Sequence, residues 1–178
     1  MYYLKEYDSP VGKITIASDE NSIKGLWIEG QKYFQDTVSS EIVKNSNLPV
    51  LVKTEKWLDR YFAGENPKLS EIPMAPNGSE FRQSVWEILC KIPYGEVITY
   101  GDIAKEIGNK TNKKMSGQAV GGAVGHNPIS IIIPCHRVVG SNKSLTGYAG
   151  GINKKVQLLE LEGIDISKYI IPTKGTAI

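Results

Sequence analysis

The sequence predicts an α+β protein, with a small N-terminal antiparallel sheet and helices followed by a mainly helical C-terminal domain. Three short strand-like runs open the chain, amphipathic stretches fill its second half, and a Pro- and Gly-rich segment lies between them. A length of 178 residues allows one large domain or two small ones. We place an N-terminal structural α/β domain at residues 1–75 and a C-terminal domain at residues 76–178.

The N-terminal region is predicted to begin with a three-stranded antiparallel meander. Residues 2 to 7, 11 to 18 and 22 to 28 are strand-like and are separated by short turn sequences. Two amphipathic stretches follow, around residues 31 to 44 and, more clearly, 50 to 63. No residue pattern here points to chemistry, so a structural role is expected.

The C-terminal region is predicted to begin with a helix after a linker at residues 71 to 78. Ser79 is a natural N-cap, and the apolar stripe continues to Ile92. Cys90 falls beside that stripe and is interpreted as a core thiol.

Two further helices are predicted, from about Tyr100 to Ile107 and from about Lys114 to Gly125. The first is expected to stop at Gly108, and the arrangement resembles a helix-turn-helix. Glycine is unfavourable inside a helix, yet the later helix carries four. Close approach of a partner backbone or packing against the protein's own sheet would each explain them.

A cysteine and a histidine, both scarce in this chain, follow an apolar run. Ile131, Ile132 and Ile133 predict a buried strand that Pro134 would end. The next two residues are Cys135 and His136. A cysteine acts as a nucleophile only as thiolate, and an ordinary thiol is mostly protonated at neutral pH, so it needs a base.

His136 is the adjacent base, and an acidic group should orient it. Glu160 and Glu162 lie on a predicted helix, and Glu162 at its end is the better placed to turn inward. An adjacent Cys and His would not by themselves indicate catalysis.

Charge is divided unevenly between the two regions. Residues 1–76 carry 9 Lys and Arg against 11 Asp and Glu, a balance of −2, and the remainder carry 12 against 8, a balance of +4. The densest basic patch fits phosphate contact, although a solvated lysine-rich loop is the alternative. The patch consists of Lys105, Lys110, Lys113 and Lys114.

The compartment is expected to be the cytoplasm. No apolar run approaches the length of a membrane span, and the amino end lacks the apolar core of a secretory signal. In a reducing compartment Cys90 and Cys135 would remain free thiols.

Several ordered segments together resemble the O6-alkylguanine-DNA alkyltransferases, also called methylated-DNA:protein-cysteine methyltransferases. The match spans residues 79 to 163. Its segments are Gly95-Glu96-Val97-Ile98-Thr99-Tyr100-Gly101, Ala119-Val120-Gly121-Gly122-Ala123, Asn127-Pro128, Pro134-Cys135-His136-Arg137-Val138, Gly147-Tyr148-Ala149-Gly150-Gly151 and Leu158-Leu159-Glu160-Leu161-Glu162-Gly163.

The resemblance implies single-turnover, direct-reversal DNA repair after flipping of the damaged base. An alkyl group would pass from O6 of guanine, or from O4 of thymine, to Cys135, with His136 and Glu162 relaying its proton through a water and Asn127 tying the third helix to the active-site turn. The implied base pocket consists of Tyr100, Val138, Tyr148 and Ala149.

The resemblance also implies a DNA surface, with the second helix of the helix-turn-helix in the minor groove. Its expected residues are Thr99, Gln118, Ala119, Gly122 and Arg137. Gln118 stands where some relatives place an arginine that fills the gap left by the flipped base. Some relatives also hold zinc in the first domain, but this chain has no Cys or His there.

The expected partner is therefore double-stranded DNA carrying O6-alkylguanine, bound by a monomer that uses no cofactor and no metal. A helix-turn-helix transcription regulator whose Cys135 senses alkylating or oxidising agents is the main alternative, although no second DNA-binding domain is recognised. A cysteine hydrolase is the third possibility, and multiple turnover would distinguish it.

Overall fold

The computed structural model describes residues 1–38, 41–44 and 47–173. Its backbone contacts divide the chain into two units. The first contains Met1–Gly78 and Pro128–Ile132, and the second contains Ser79–Asn127 and Ile133–Ile178. Both described units mix helix and strand, and the sequence-predicted α+β class is confirmed.

The first unit is built on a four-stranded sheet. Strands β1 (Tyr2–Ser9), β2 (Gly12–Ser18) and β3 (Ile23–Ile28) form the predicted antiparallel meander. A short strand β4 (Ile42–Lys44) adds to the outer edge of β1 in parallel, so that the order is β3-β2-β1-β4. Helix α1 (Pro49–Phe62) contacts β1 and β2 and confirms the second amphipathic stretch.

The first amphipathic stretch, residues 31 to 44, does not form a continuous helix in its described part. Tyr33 and Gln35 have φ angles of 59°, which an α-helix of L-residues does not accommodate. Residues 32–37 form turns that precede β4, and Val38 packs with Ala17 and Trp27. Residues 39–40 of this stretch lie outside the described part.

The second unit is mainly helical. Helix α2 (Glu80–Leu89) begins at the predicted cap, where the Ser79 hydroxyl accepts a hydrogen bond from Arg82 N–H. Helices α3 (Tyr100–Thr111), α4 (Gly117–Gly125) and α5 (Ile152–Leu161) follow. Strands β5 (Ile98–Thr99) and β6 (Val138–Val139) pair in parallel.

The bounds of α3 and α4 differ from the sequence prediction. Helix α3 continues through Gly108 to Thr111, because Asn112 in the left-handed region provides a later C-cap. Helix α4 begins at Gly117 rather than near Lys114, since Ser116 is its N-cap.

Helix α4 is held by the helices around it. It packs against α2 and α3, and Trp86 Nε1 donates a 2.9 Å hydrogen bond to Ala123 O. Among the described residues, no helix is both long and apolar enough to cross a bilayer.

Candidate active site and nucleic-acid interface

The apolar run before the cysteine is buried, but the predicted strand there is wrong. Ile131 has a φ of 72°, and residues 130–132 form turns. The N–H groups of Ile132 and Cys135 each donate to the carbonyl two residues earlier. A β-branched residue in the left-handed region is strained, so the surrounding structure imposes this path.

Cys135 opens a 3-10 turn, Cys135–Arg137, that leads directly into β6. The residue is only 4% exposed. Burial raises the pKa of its thiol, whereas a hydrogen bond with Asn127 and the charge of Lys155 act in the opposite direction. The net shift is upward, so the resting group is a thiol.

Asn127 connects the end of α4 to the cysteine turn. Its Nδ2 donates a 2.8 Å hydrogen bond to Ile133 O, and its side chain also hydrogen bonds at Cys135. Asn127 is buried, and each contact fixes the turn at a different point. Asn127 therefore links the C-terminal end of α4 to the turn that carries Cys135.

Glu162 lies at the end of α5 and gathers two basic side chains. His136 Nε2 is 2.5 Å from Oε2, and Arg137 Nε donates to Oε1 at 2.7 Å. Gly95 N–H donates to the same Oε1 at 3.0 Å. One backbone N–H group and two buried side chains thus hydrogen bond to the two oxygens of Glu162 and hold the carboxylate in a fixed orientation.

The charge states of this cluster follow from burial and pairing. Burial alone would raise the pKa of Glu162, but hydrogen bonds and charge from His136 and Arg137 outweigh it and lower that pKa to about 2. Burial lowers the pKa of His136 although Glu162 favours its charged form. At neutral pH we therefore assign an ionised Glu162 and a neutral His136 whose Nε2–H donates to it.

Arg137 is placed differently from the DNA-contact role inferred for it from sequence. Its guanidinium is buried, donates through Nη1 to Ile92 O at 2.7 Å and lies 5.7 Å from the centre of the Tyr94 ring. With Nε on Glu162, the side chain is engaged within the protein. Its geometry is that of a charge partner for the carboxylate.

Tyr100 is the first residue of α3, and the pairing of β5 with β6 brings this helix start beside the cysteine turn. Its hydroxyl donates to Thr146 O at 2.9 Å. Burial, followed by the charge of Cys135, raises the pKa of the Tyr100 hydroxyl, so it remains a donor. A Cβ at Gly147, which has a φ of 78°, would lie 2.7 Å from the Tyr100 Oη, so glycine leaves room for the ring.

The other predicted pocket residues are buried or half-buried. Val138 is fully buried, Tyr148 is 4% exposed and Ala149 is half-buried. A Cβ at Gly150 would come within 2.8 Å of the Tyr148 ring, which explains the small residue beside that ring.

Lys155 is a buried cation at the site that sequence reasoning missed. Its Nζ donates to Val138 O at 2.5 Å and to Thr146 O at 3.0 Å, and the residue has no exposed surface. Burial lowers its pKa to about 8, and the charge of Cys135 opposes that shift. Lys154 and Lys155 look equivalent in sequence, and only the inward helical position of Lys155, three residues before Leu158, gave a signal.

The predicted DNA-contact residues on α4 lie on its exposed side. Gln118, Ala119 and Gly122 are all exposed. Cβ atoms built at the four glycines of α4 would meet nothing within 4 Å. Packing within the described protein therefore does not require these glycines, and the alternative of a partner backbone is favoured.

The remaining candidates occupy supporting positions. Thr99 is half-buried and caps α3, with its hydroxyl accepting from Asp102 N–H. Cys90 is half-buried rather than fully in the core, and burial raises its pKa to about 11. Across the described ranges, no group of three His, Cys, Asp or Glu side chains is arranged to hold a metal.

Comparison with known proteins gives two family matches that cover different parts of the chain. Residues 80–164 match the model of the 6-O-methylguanine DNA methyltransferase DNA-binding domain. Residues 1–76 match the ribonuclease-like domain of 6-O-methylguanine DNA methyltransferase.

Full-length relatives agree with both matches. Methylated-DNA–protein-cysteine methyltransferases of Haemophilus influenzae and Methanosarcina acetivorans are 44% and 45% identical, over 91% and 92% of this chain and 87% and 99% of theirs. The crystal structure of Mycobacterium tuberculosis OGT in complex with DNA has a TM-score of 0.76 and 40% identity, covering 90% of this chain and 91% of that one. The chain belongs to the methylated-DNA–protein-cysteine methyltransferase family.

Proposed function

We propose that this protein repairs DNA by direct reversal, moving one alkyl group from O6 of a flipped guanine to Cys135 in a single turnover. The protein is a methylated-DNA–protein-cysteine methyltransferase, and DNA is its partner. The assignment of Cys135 as acceptor rests on one observation. This buried thiol lies within a preorganised set of groups that can take its proton and stabilise its charge.

The proton route runs from Cys135 towards Glu162. With Nε2–H held on the Glu162 carboxylate, Nδ1 is the nitrogen of His136 that would take the thiol proton through a water. The carboxylate stabilises the imidazolium that forms. Glu162 thus acts as a positioning residue, because it works through His136 and does not touch the alkyl group.

The positive charge around Cys135 offsets part of the cost of burying a thiolate there. Glu162 contributes −1, Arg137 and Lys155 contribute +1 each, and His136 and the thiol are neutral, so the resting cluster has a net charge of +1. Moving the Cys135 proton to the solvent through His136 brings that sum to zero. A buried cluster without net charge has the smaller desolvation penalty.

The transfer itself is a displacement at carbon. A sulfur electron pair of Cys135 forms the new S–C bond, the C–O6 bond breaks, and its electrons remain on guanine. One proton returned to the base completes ordinary guanine, so the proton lost by the thiol balances the one gained. The product is a neutral thioether. His136 cannot regenerate the thiol from it by proton transfer, because the S–C bond would have to be broken, and each protein therefore acts only once.

The base pocket is supported by the placement of Tyr100, Tyr148, Val138 and Ala149. The Tyr100 hydroxyl donates to Thr146 O, and guanine binding would exchange this carbonyl for an acceptor on the guanine ring. The raised pKa keeps that hydroxyl protonated. Tyr148 supplies the aromatic wall against which a flipped base can stack.

The DNA surface is proposed to be the exposed side of α4, with Gln118 in the space left by the flipped base. Small residues at Ala119 and Gly122 allow close approach of a sugar-phosphate backbone. Gln118 can hydrogen bond there but brings no charge.

We further propose a reducing compartment, the cytoplasm, where Cys90 and Cys135 remain thiols as in the structure.

The decisive experiment incubates the protein with a duplex oligonucleotide carrying O6-methylguanine and then measures intact and peptide masses. We expect one added methyl per protein, on Cys135 and not on Cys90. Cys135→Ser should abolish transfer and retain DNA binding, whereas Cys90→Ser, the matched control, should repair normally. Methyl on Cys90 would overturn the acceptor assignment. Many repaired oligonucleotides per protein would indicate a hydrolase, and lesion binding without transfer would favour the regulator.

A further inference from the structure

We infer that a groove beside the recognition helix binds the phosphodiester backbone of the DNA at a point separate from the lesion pocket. This lysine groove lies between α3 and the connection that leads to α4, and it has a volume of about 470 Å³. The residues that define it are Lys105, Asn109, Asn112, Lys113 and Lys114. The inference rests on the proposed function, because it takes DNA to lie along α4.

The groove presents three cationic side chains, those of Lys105, Lys113 and Lys114. Within the part of the chain that the structure describes, no ion pair includes the three groove lysines, and all are exposed. The fourth lysine of the sequence patch, Lys110, pairs with Glu106 at 3.4 Å and does not line the groove. No Asp or Glu lines it either, so its ligand should be an anion.

The shape of the groove is set by backbone contacts. Asn112 has a φ of 53° and turns the chain back, so that Lys113 N–H donates to Gly108 O at 3.2 Å. A Cβ at Gly108 would lie 2.9 Å from Lys113 O. Gly108, which the sequence pattern presents as a helix stop, is instead the residue that lets the connection lie against α3. The connection that carries Lys113 and Lys114 therefore has a backbone conformation fixed by contacts with α3.

The groove is continuous along the chain with the proposed DNA surface. Lys114 and Gln118 are separated by four residue steps, which limits the distance between their Cα atoms to about 14 Å. The axial rise of B-DNA is about 3.4 Å per base pair, so the contacted phosphate should lie within roughly four base pairs of the flipped nucleotide, apart from side-chain reach. Amide groups of Asn109 and Asn112 can add hydrogen bonds to phosphate oxygens.

A purely structural role explains only part of this arrangement. Lysines near a helix C-terminus stabilise the helix dipole, which accounts for Lys113 and Lys114. Lys105 is in the middle of α3, where the dipole effect has faded, yet it faces the same groove. Phosphate binding explains all three.

The test replaces Lys105, Lys113 and Lys114 by Gln in the full chain. A control variant replaces Lys53, Lys56 and Lys91, three other exposed lysines, by Gln, so that the net charge changes equally. Binding to an undamaged duplex is measured by fluorescence anisotropy from about 50 to 200 mM salt. We expect the slope of log K against log salt to become shallower by about 0.9 for each phosphate that the variant no longer neutralises, with at least tenfold weaker binding at low salt. The control should match the unaltered protein.

Two outcomes overturn the inference. One is an equal loss of affinity in both variants, which would indicate only the overall charge. The other is a lowered Tm in the groove variant with unchanged DNA binding, which would indicate only helix stabilisation. Inorganic phosphate and chloride are compared as competitors at the same ionic strength. If phosphate displaces more DNA than chloride does, the groove is assigned to free phosphate instead.

Failure of the inference is distinguishable from failure of the proposed function. Methyl transfer by the unaltered protein is measured in the same preparation. If it transfers methyl and both variants bind DNA with its salt slope, the proposed function stands and the groove assignment falls. If the unaltered protein transfers no methyl, the proposed function falls whatever the lysines do.

Discussion

His136 Nε2 lies 2.5 Å from Glu162 Oε2, and neither side chain has any exposed surface. A buried carboxylate with this contact fixes both the ring orientation of the histidine and its tautomer. Arg137 on the second oxygen keeps the carboxylate ionised. In the proposed proton route, Cys135 therefore depends on a residue far along the chain that does not touch the substrate.

Replacing Glu162 by Gln should slow methyl transfer by about ten- to a hundredfold at pH 7, because His136 loses the charge that stabilises its protonated form. Single-turnover transfer at saturating DNA, measured across pH, checks this. Glu160→Gln, an exposed neighbour on α5, is the control. Circular dichroism and thermal melting would show whether the variant is folded. An unchanged rate across neutral pH in a folded variant would remove Glu162 from the proton route.

Acid should destabilise the protein through Glu162. Its folded-state pKa of about 2 lies below the ordinary glutamate value of 4.5, so its stabilising contribution is present above about pH 4.5 and disappears as pH falls towards 2. The loss is on the order of 3 kcal/mol. Burial also lowers the pKa of His136, so the unfolded state takes up that proton first and adds to the effect.

Urea unfolding at several pH values measures this dependence. The free energy of unfolding should fall more steeply with acid in the unaltered protein than in Glu162→Gln, which lacks the titrating carboxylate. The variant should also be less stable at pH 7, because Arg137 is left as a buried, unpaired charge. Parallel pH curves for the two proteins would contradict the assigned pKa.

Replacing Lys155 by Met should raise the pKa of Cys135 further and shift the pH profile of transfer to the alkaline side. Each unit of that shift corresponds to about a tenfold slower transfer at pH 7. Met keeps much of the apolar volume but offers no donor to Val138 O or Thr146 O. Lys154→Met is the matched control. A lower rate with an unshifted profile would assign Lys155 a structural role alone.

Gln118 provides a test of the DNA surface on α4. Gln118→Arg should tighten DNA binding several-fold and steepen its salt dependence, because a cation replaces a neutral amide. Gln118→Ala should weaken productive binding and slow repair when DNA is limiting, since the space left by the flipped base is less well filled. Single-turnover transfer is measured against DNA concentration. If neither the half-saturation point nor its salt slope changes, Gln118 does not occupy that space.

Features of the fold that depend on local chemistry could be predicted from the sequence. The short turn sequences between strand-like runs were sufficient to predict the β1-β2-β3 meander. Ser79 correctly predicted the start of α2. The position of Glu162 at the end of α5 could also be predicted, because helical spacing directs its apolar neighbours inward. The ordered motifs around Cys135 are sufficient to indicate the family from the sequence.

Tertiary contacts alone decided the remaining features. Ile131 resembles a strand residue in its composition, but packing holds it at a positive φ. The strand β4 exists because the edge of β1 offers it unpaired backbone groups, which no local pattern reveals. Lys155 and Arg137 are cations of ordinary appearance in the sequence. Whether such a side chain reaches solvent or a buried acceptor depends on distant residues, and here folding brings the acceptors Val138 O and Glu162 to them.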